Sequence, residues 1–401
     1  MQPTAINPPA ANAPDNSVAA QLAPLMTVVL VAFVVIGMAL PVLPLHVHDG
    51  LGFGAVVVGL VAGSQFAASL FSRVWAGRTC DVQGAKRAVT FGLLAAAAAG
   101  ALYLISTWVS GAPIVSVAIL LGGRALLGGA ESFIITGATI WGLARAGAGN
   151  AGKVIAWMGT AMFAAFAAGA PLGVALYNRW GFAAVAAATA VAPLATLAAV
   201  LPVRRVAPLG KPTASIVTVV RKVWLPGLGA ALSSVGFGAM LSFSSLLYSG
   251  NGWTPVWLPF TAYALALVAA RLLFGHLPDR IGGAKVSLVC ALIETAGLLL
   301  MWNATSAIPA TIGAGLVGFG YALVFPGLGV EAVRRAPPES RGLAMGAYTA
   351  CLDLALGASG PALGLIASGF GFSSVFLVSA TVVLASTGVA FALVQRPTRE
   401  K

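Results

Sequence analysis

Gly77-Arg78-Thr79-Cys80-Asp81-Val82-Gln83-Gly84-Ala85-Lys86-Arg87, preceded by Arg73, decides how this chain is built, because it occurs twice. The second copy reads Gly275-His276-Leu277-Pro278-Asp279-Arg280-Ile281-Gly282-Gly283-Ala284-Lys285, preceded by Arg271. Arg73, Gly77, Asp81, Gly84 and Arg87 each meet a counterpart 198 positions later, four by identity and the last by charge. That offset is about half of the 401 residues, so the chain reads as a duplicated unit. Each copy is a short polar turn between segments too apolar for water. A duplicated membrane chain with matching charged turns points to a transporter assembled from repeats.

Composition agrees. Apolar side chains make up 59% of the residues and charged ones 8%, and the mean hydropathy is +0.96. So few charges cannot cover the surface of a water-soluble fold. Continuous apolar runs, without the alternation of barrel strands, predict an all-α membrane protein of twelve spans. The predicted spans are 24–45, 55–76, 88–107, 113–141, 153–177, 182–201, 223–249, 256–275, 286–303, 308–333, 342–366 and 372–394. They divide into six-helix halves over 24–201 and 223–394, joined by a linker over 202–222 rich in Pro and basic residues. Residues 1–23, rich in Pro, Ala and Asn, and residues 395–401 read as cytoplasmic tails; the first lacks the basic start of a secretory signal.

The net charge of +12 reflects orientation. Of the 22 Lys and Arg, all but Arg124 and Arg179 fall at or beside the ends shared by the even-to-odd turns and the C-terminus. Basic residues of short loops stay inside, so both termini are expected in the cytoplasm, and no nucleic-acid partner is needed. Trp75, Trp141 and Trp224 at inner ends, with Trp108, Trp180, Trp253 and Trp302 at outer ends, are expected to form interfacial belts.

Charges inside spans are expensive, so each needs a reason. Arg124, Gly128 and Glu131 share one face of the fourth span, as a structural ion pair or as a protonatable carboxylate tuned by a fixed cation. Asp353 lies well inside the eleventh span and Glu294 inside the ninth; nothing in the sequence explains Glu294. Glu331 beside Arg334 and Arg335 reads as a solvated ion pair at a helix end. Gly169, Pro171 and Gly173 in the fifth span, and Gly360 and Pro361 in the eleventh, predict kinked, close-packed helices where the halves rock.

Other patterns carry no chemistry. Gly147 to Lys153 mimics a phosphate loop, but Val154 replaces the hydroxyl that would bind magnesium, and no strand precedes it. His46 and His48 lack a third ligand nearby, and the three cysteines have neither metal nor disulfide spacing, so no metal or cofactor is expected. No nucleophile–base constellation suggests an enzyme.

Taken together, the turn motif resembles the signature of the major facilitator superfamily, with Val82 replacing a usual basic residue and Arg280 retaining it in the second copy. The resemblance implies a cytoplasmic gate at Gly77, Asp81, Gly84, Lys86, Arg87, Gly275, Asp279, Arg280, Gly282 and Lys285. Each Asp would hold the start of a helix in the opposite half, where a carboxylate is electrostatically favoured. Arg124 to Gly128 resembles the family's proton-coupling motif, and Gly169-Ala170-Pro171-Leu172-Gly173 resembles, imperfectly, its antiporter motif. The texture is similar to a poorly characterised bacterial branch. These likenesses imply a monomeric inner-membrane secondary transporter exporting a small organic molecule against protons by alternating access. Proton-coupled import is the alternative, with a non-transporting sensor a distant third. Coupling would rest on Arg124, Glu131 and Asp353, and the cavity would offer Gln65, Thr136, Ser242, Tyr263, Tyr321 and Thr349.

Overall fold

A computed structural model describes residues 15–146, 151–203, 216–336 and 341–395. The phosphate-loop look-alike at 147–150, most of the linker (204–215) and parts of both tails (1–14 and 396–401) lie outside the described residues. Among the described residues there are thirteen α-helices and no strand: α1 (Asp15–Leu45), α2 (Ala55–Gln83), α3 (Ala85–Trp108), α4 (Pro113–Ala146), α5 (Ala151–Trp180), α6 (Phe182–Val200), α7 (Ile216–Gly250), α8 (Leu258–Phe274), α9 (Leu277–Ile281), α10 (Gly283–Trp302), α11 (Ala307–Arg335), α12 (Arg341–Phe370) and α13 (Phe372–Gln395). Eleven are long and apolar enough to cross a bilayer, and α8 is the shorter twelfth; α9 is a one-turn helix beside the second charged turn. Helices prevail because lipid offers no partner for backbone N–H and C=O groups, which an α-helix satisfies internally.

Two predicted boundaries shift. The first helix starts at Asp15, inside the predicted tail, and α7 starts at Ile216, inside the predicted linker. An acidic residue is electrostatically favoured at a helix start, which suits the early beginning of the first helix at Asp15. Trp141 is fully buried, so it belongs to the core, whereas Trp75, Trp108, Trp180, Trp224 and Trp302 are exposed.

The duplication is visible in the backbone. Gly84 (φ 91°) separates α2 from α3 and Gly282 (φ 99°) separates α9 from α10, again 198 positions on. Left-handed φ values of this kind admit glycine at little cost. Gly181 separates α5 from α6 and Gly371 separates α12 from α13, but these differ by 190. The same shift appears where helices touch. A Cβ on Gly128 of α4 would lie 1.9 Å from the Gln65 carbonyl oxygen of α2, and one on Gly318 of α11 would lie 2.0 Å from that of Tyr263 of α8. Gln65 and Tyr263 are 198 apart, while Gly128 and Gly318 are 190 apart. The halves therefore repeat with two registers, the first through α2 and α8 and the second from α4 and α11 onward.

Between the halves, α2 lies along α12 and α5 along α8. The tightest approaches are at the end opposite the charged turns. A Cβ on Gly59 would lie 2.0 Å from the Gly360 oxygen, and one on Gly63 would lie 2.6 Å from the Gly357 oxygen. At the equivalent place in the other seam, Thr261 Oγ1 donates to the Ala167 carbonyl at 3.0 Å. Both prolines sit within continuous helices. Gly169 and Gly173 pack α5 onto Gly37 and Met38 of α1 in the same half, so only the Gly360 element of the predicted kink motif meets the other half.

The charged turns, by contrast, form no latch among the described residues. Among the described residues, Asp81 and Asp279 make no hydrogen bond or ion pair. Lys86 instead donates to the carbonyls of Leu201 and, at 2.8 Å, Val203, closing off the end of α6 within its own half. Glu331 pairs with Arg335 one turn along α11.

Candidate functional site between the halves

Arg73 lies one turn before Gly77, and its side chain leaves the charged turn for the seam between the halves. There it forms a two-pronged ion pair with Asp353 of α12, one arm of which, Nη2 to Oδ1, measures 3.0 Å. Asp353 is 1% exposed, so its charge depends on this partner. Beside the pair stands Glu131 of α4, whose Oε2 accepts a hydrogen bond from Gln65 Nε2 at 2.6 Å. Arg73, Asp353 and Arg124 all lie within Coulombic range of Glu131. Ser69 and Ser132 share a hydrogen bond of 2.8 Å in the α2–α4 contact that holds Gln65 against Glu131. The structure thus sets Glu131, held by Gln65, within electrostatic reach of the Arg73–Asp353 pair.

Arg124 is near enough to act on Glu131 electrostatically but makes no ion pair with it among the described residues. It is buried in α4, with Nε and Nη1 unpartnered among the described residues, and the neighbouring Gly123 abuts the ring of Tyr103 on α3. A shared helical face does not make Arg124 the partner of Glu131, because Gln65 occupies the carboxylate from α2.

The duplicated register places a second set of four residues opposite the first. Gln65 corresponds to Tyr263 and Arg73 to Arg271 at the offset of 198, while Glu131 corresponds to Tyr321 and Asp353 to Phe163 at 190. The contact across the seam matches, while the pairing within each half differs. The Arg271 guanidinium carbon lies 4.7 Å from the centre of the Phe163 ring across the α5–α8 seam, as Arg73 meets Asp353 across the α2–α12 seam. Tyr263 and Tyr321 stack on Phe237 of α7, with centroids 5.4 and 5.3 Å away. Tyr321 shares a 3.2 Å hydrogen bond with Ser234. One set is ionic, the other a cation among rings.

Of the other expected cavity residues, Thr349 donates to its own helix at Met345, Ser242 is buried in α7, and Thr136 is half-buried on α4. None bonds to either set. Glu294, unexplained by sequence, is fully buried in α10; Ser233 of α7 donates to its Oε2 at 2.6 Å, and Oε1 has no partner among the described residues. His46 stacks on Phe182 and His48 Nδ1 lies 2.8 Å from the Phe53 carbonyl, so both serve the turn after α1.

Sequence reasoning missed Arg73, Arg271, Phe163 and Phe237. The first two were legible as the opening residues of the repeated signature, set one turn inside the apolar run rather than in the turn. The phenylalanines carry no sequence signal, since apolar residues fill every span.

Twelve spanning helices in two related halves, with ionisable groups gathered on the seam, define a multi-pass membrane transporter rather than an enzyme. The chain belongs to the Major Facilitator Superfamily, whose family model matches residues 25–260 and 257–401. It is 40% identical over 364 residues to an uncharacterised MFS-type transporter of Salmonella typhimurium, covering 91% of this chain and 94% of that one. A second uncharacterised MFS-type transporter, from Burkholderia mallei, is 39% identical over 384 residues, covering 94% and 93%. Among solved structures, a D-xylose-proton symporter shares the fold with a TM-score of 0.75 at 13% identity, covering 93% of this chain and 97% of that one. The protein is a secondary transporter.

Proposed function

We propose that this transporter works in the bacterial inner membrane as a monomer, exporting a small organic molecule in exchange for protons. The observation that supports coupling is that Arg73 pairs with Asp353 while Glu131, bonded to Gln65, lies within electrostatic reach of the same guanidinium, so the two acids would compete for it. Glu131 belongs to the same half as Arg73, and Asp353 to the other. When Glu131 is protonated, Arg73 is left to Asp353 and braces the seam. When Glu131 is ionised it draws on the same guanidinium and weakens the brace. A proton thereby biases a two-state element, which is what coupling requires.

Sidedness follows from the basic residues, which put the charged turns in the cytoplasm. The seam closed at Gly59–Gly360 would then face the periplasm, and this closure supports reading the conformation as inward-facing with its latch undone. In the opposite state Asp81 and Asp279 would engage helix starts across the seam. Export rests on the likeness of the Gly169–Pro171–Gly173 element to the antiporter motif.

The test is proton flux in proteoliposomes loaded with metabolite pools under an imposed pH gradient. Glu131→Gln is expected to abolish gradient-driven uphill movement while leaving downhill exchange. If the Glu131→Gln protein still moves protons with substrate at the wild-type ratio, the coupling role of Glu131 is refuted.

A further inference from the structure

Arg73 and Arg271 occupy the same place in the two halves, yet only one has an acid. Arg73 meets Asp353; at the equivalent position Arg271 meets Phe163. Arg271 donates its Nε to the Ala322 carbonyl at 3.3 Å, and among the described residues its two terminal nitrogens have no hydrogen-bond partner. The titratable groups nearest to it are the neutral phenols of Tyr321 and Tyr263, and the closest acid behind them is Glu294, which interacts with both phenols and makes no ion pair with Arg271 among the described residues. The side chain is half-buried, so its terminal nitrogens are not sealed off from a bound molecule. Tyr263, 4% exposed, holds a second free donor: its hydroxyl has no partner among the described residues.

An intramembrane cation without a counter-ion is costly, and a buried hydroxyl without a partner adds to that cost. Terminal guanidinium nitrogens and a buried hydroxyl without acceptors, carried on one helix beside aromatic rings, describe a site missing an acceptor. The guanidinium fork suits a carboxylate, which accepts two parallel hydrogen bonds. The buried rings of Phe163, Phe237 and Tyr321 form an apolar surround beside the cation, which suits an anion carried on an apolar body. Glycine adds room: a Cβ on Gly159 would come 2.7 Å from Arg271 Nη1, so the cation lies directly over bare α5 backbone.

We propose that the transported molecule is a small organic anion, a carboxylate on a planar apolar body, and that Arg271 with Tyr263 binds its carboxylate. This deepens the transport reading and rests on it. The duplicated site is thereby divided in function: the ionic set handles the proton, and its aromatic twin handles the cargo.

Equilibrium binding to the purified full chain in nanodiscs, followed by calorimetry with benzoate, benzamide and benzylammonium as probes, tests this without any gradient. Benzoate is expected to bind saturably, with the neutral and cationic analogues at least about tenfold weaker, since a hydrogen bond to a charged group carries that much. Arg271→Gln should weaken benzoate to the same degree. Phe163→Asp is the second variant; it rebuilds the ion pair already present at Arg73–Asp353, so it should fold and lose benzoate by filling the free guanidinium. Each variant is scored only with an unchanged monodisperse elution profile, and a folded Phe163→Asp protein decides the matter if Arg271→Gln does not fold. Absence of benzoate binding, equal binding of benzamide, or wild-type binding in the folded variants overturns the proposal. A protein that binds benzoate as expected but moves no protons with it refutes the coupling reading and leaves this site standing.

Discussion

At the residue scale, the buried pair of Arg73 and Asp353 sets the energetics of the seam. Taking either partner away leaves an uncompensated charge in a low-dielectric place, which typically costs about 3–5 kcal/mol. Arg73→Ala and Asp353→Ala are each expected to lower stability by that order, and the double variant by clearly less than their sum. Unfolding in detergent, arranged as a double-mutant cycle, measures the difference. Strictly additive losses would show that the pair is incidental. Arg73, Glu131 and Asp353 differ in how readable they were in the sequence. Glu131 and Asp353 stand out in sequence because charge is rare in apolar spans. The partner of Asp353 could not be read, since Arg73 is 280 positions away along the chain.

At the element scale, transport depends on contacts that form in one state and not in the other. The α2–α12 seam is close enough that an added Cβ at Gly360 would lie 2.3 Å from the Gly59 oxygen. Gly360→Val therefore penalises this state selectively, by about 1–3 kcal/mol, or roughly five- to 150-fold in its population. Spin labels at the exposed Gln83 and Ile281, one beside each charged turn, are expected to approach each other in that variant. An unchanged distance distribution would mean that Gly360 does not gate. The turns act on the other state. A carboxylate at a helix start contributes about 0.3–1 kcal/mol, so Asp81→Asn and Asp279→Asn should each slow turnover roughly two- to fivefold with abundance unaltered. Wild-type turnover in both would assign the turns to insertion alone. Lys86, expected in the gate, shows how sequence proximity misleads: its ammonium reaches back to α6 because carbonyls there lack helical partners.

At the scale of the whole molecule, orientation follows from charge. Reporter fusions after Arg205 and after Arg399 should both read as cytoplasmic, and a periplasmic signal from either would invert the inward-facing assignment. The sequence by itself determined the class, the duplication and the twelve spans, because apolar run length and basic bias are local properties that a bilayer reads directly. It also marked the charged turns, since four identities at one offset survive in the chain. Only the tertiary structure decided what faces what. The second register, 190 rather than 198, links Glu131 with Tyr321 and Asp353 with Phe163, residues that share no chemistry and so leave no trace in a sequence comparison. Their equivalence comes from helix packing, where Gly128 on the Gln65 carbonyl and Gly318 on that of Tyr263 set the same depth in both halves. Side-chain chemistry can diverge at a position whose backbone contact cannot, and for that reason the site had to be read from the fold.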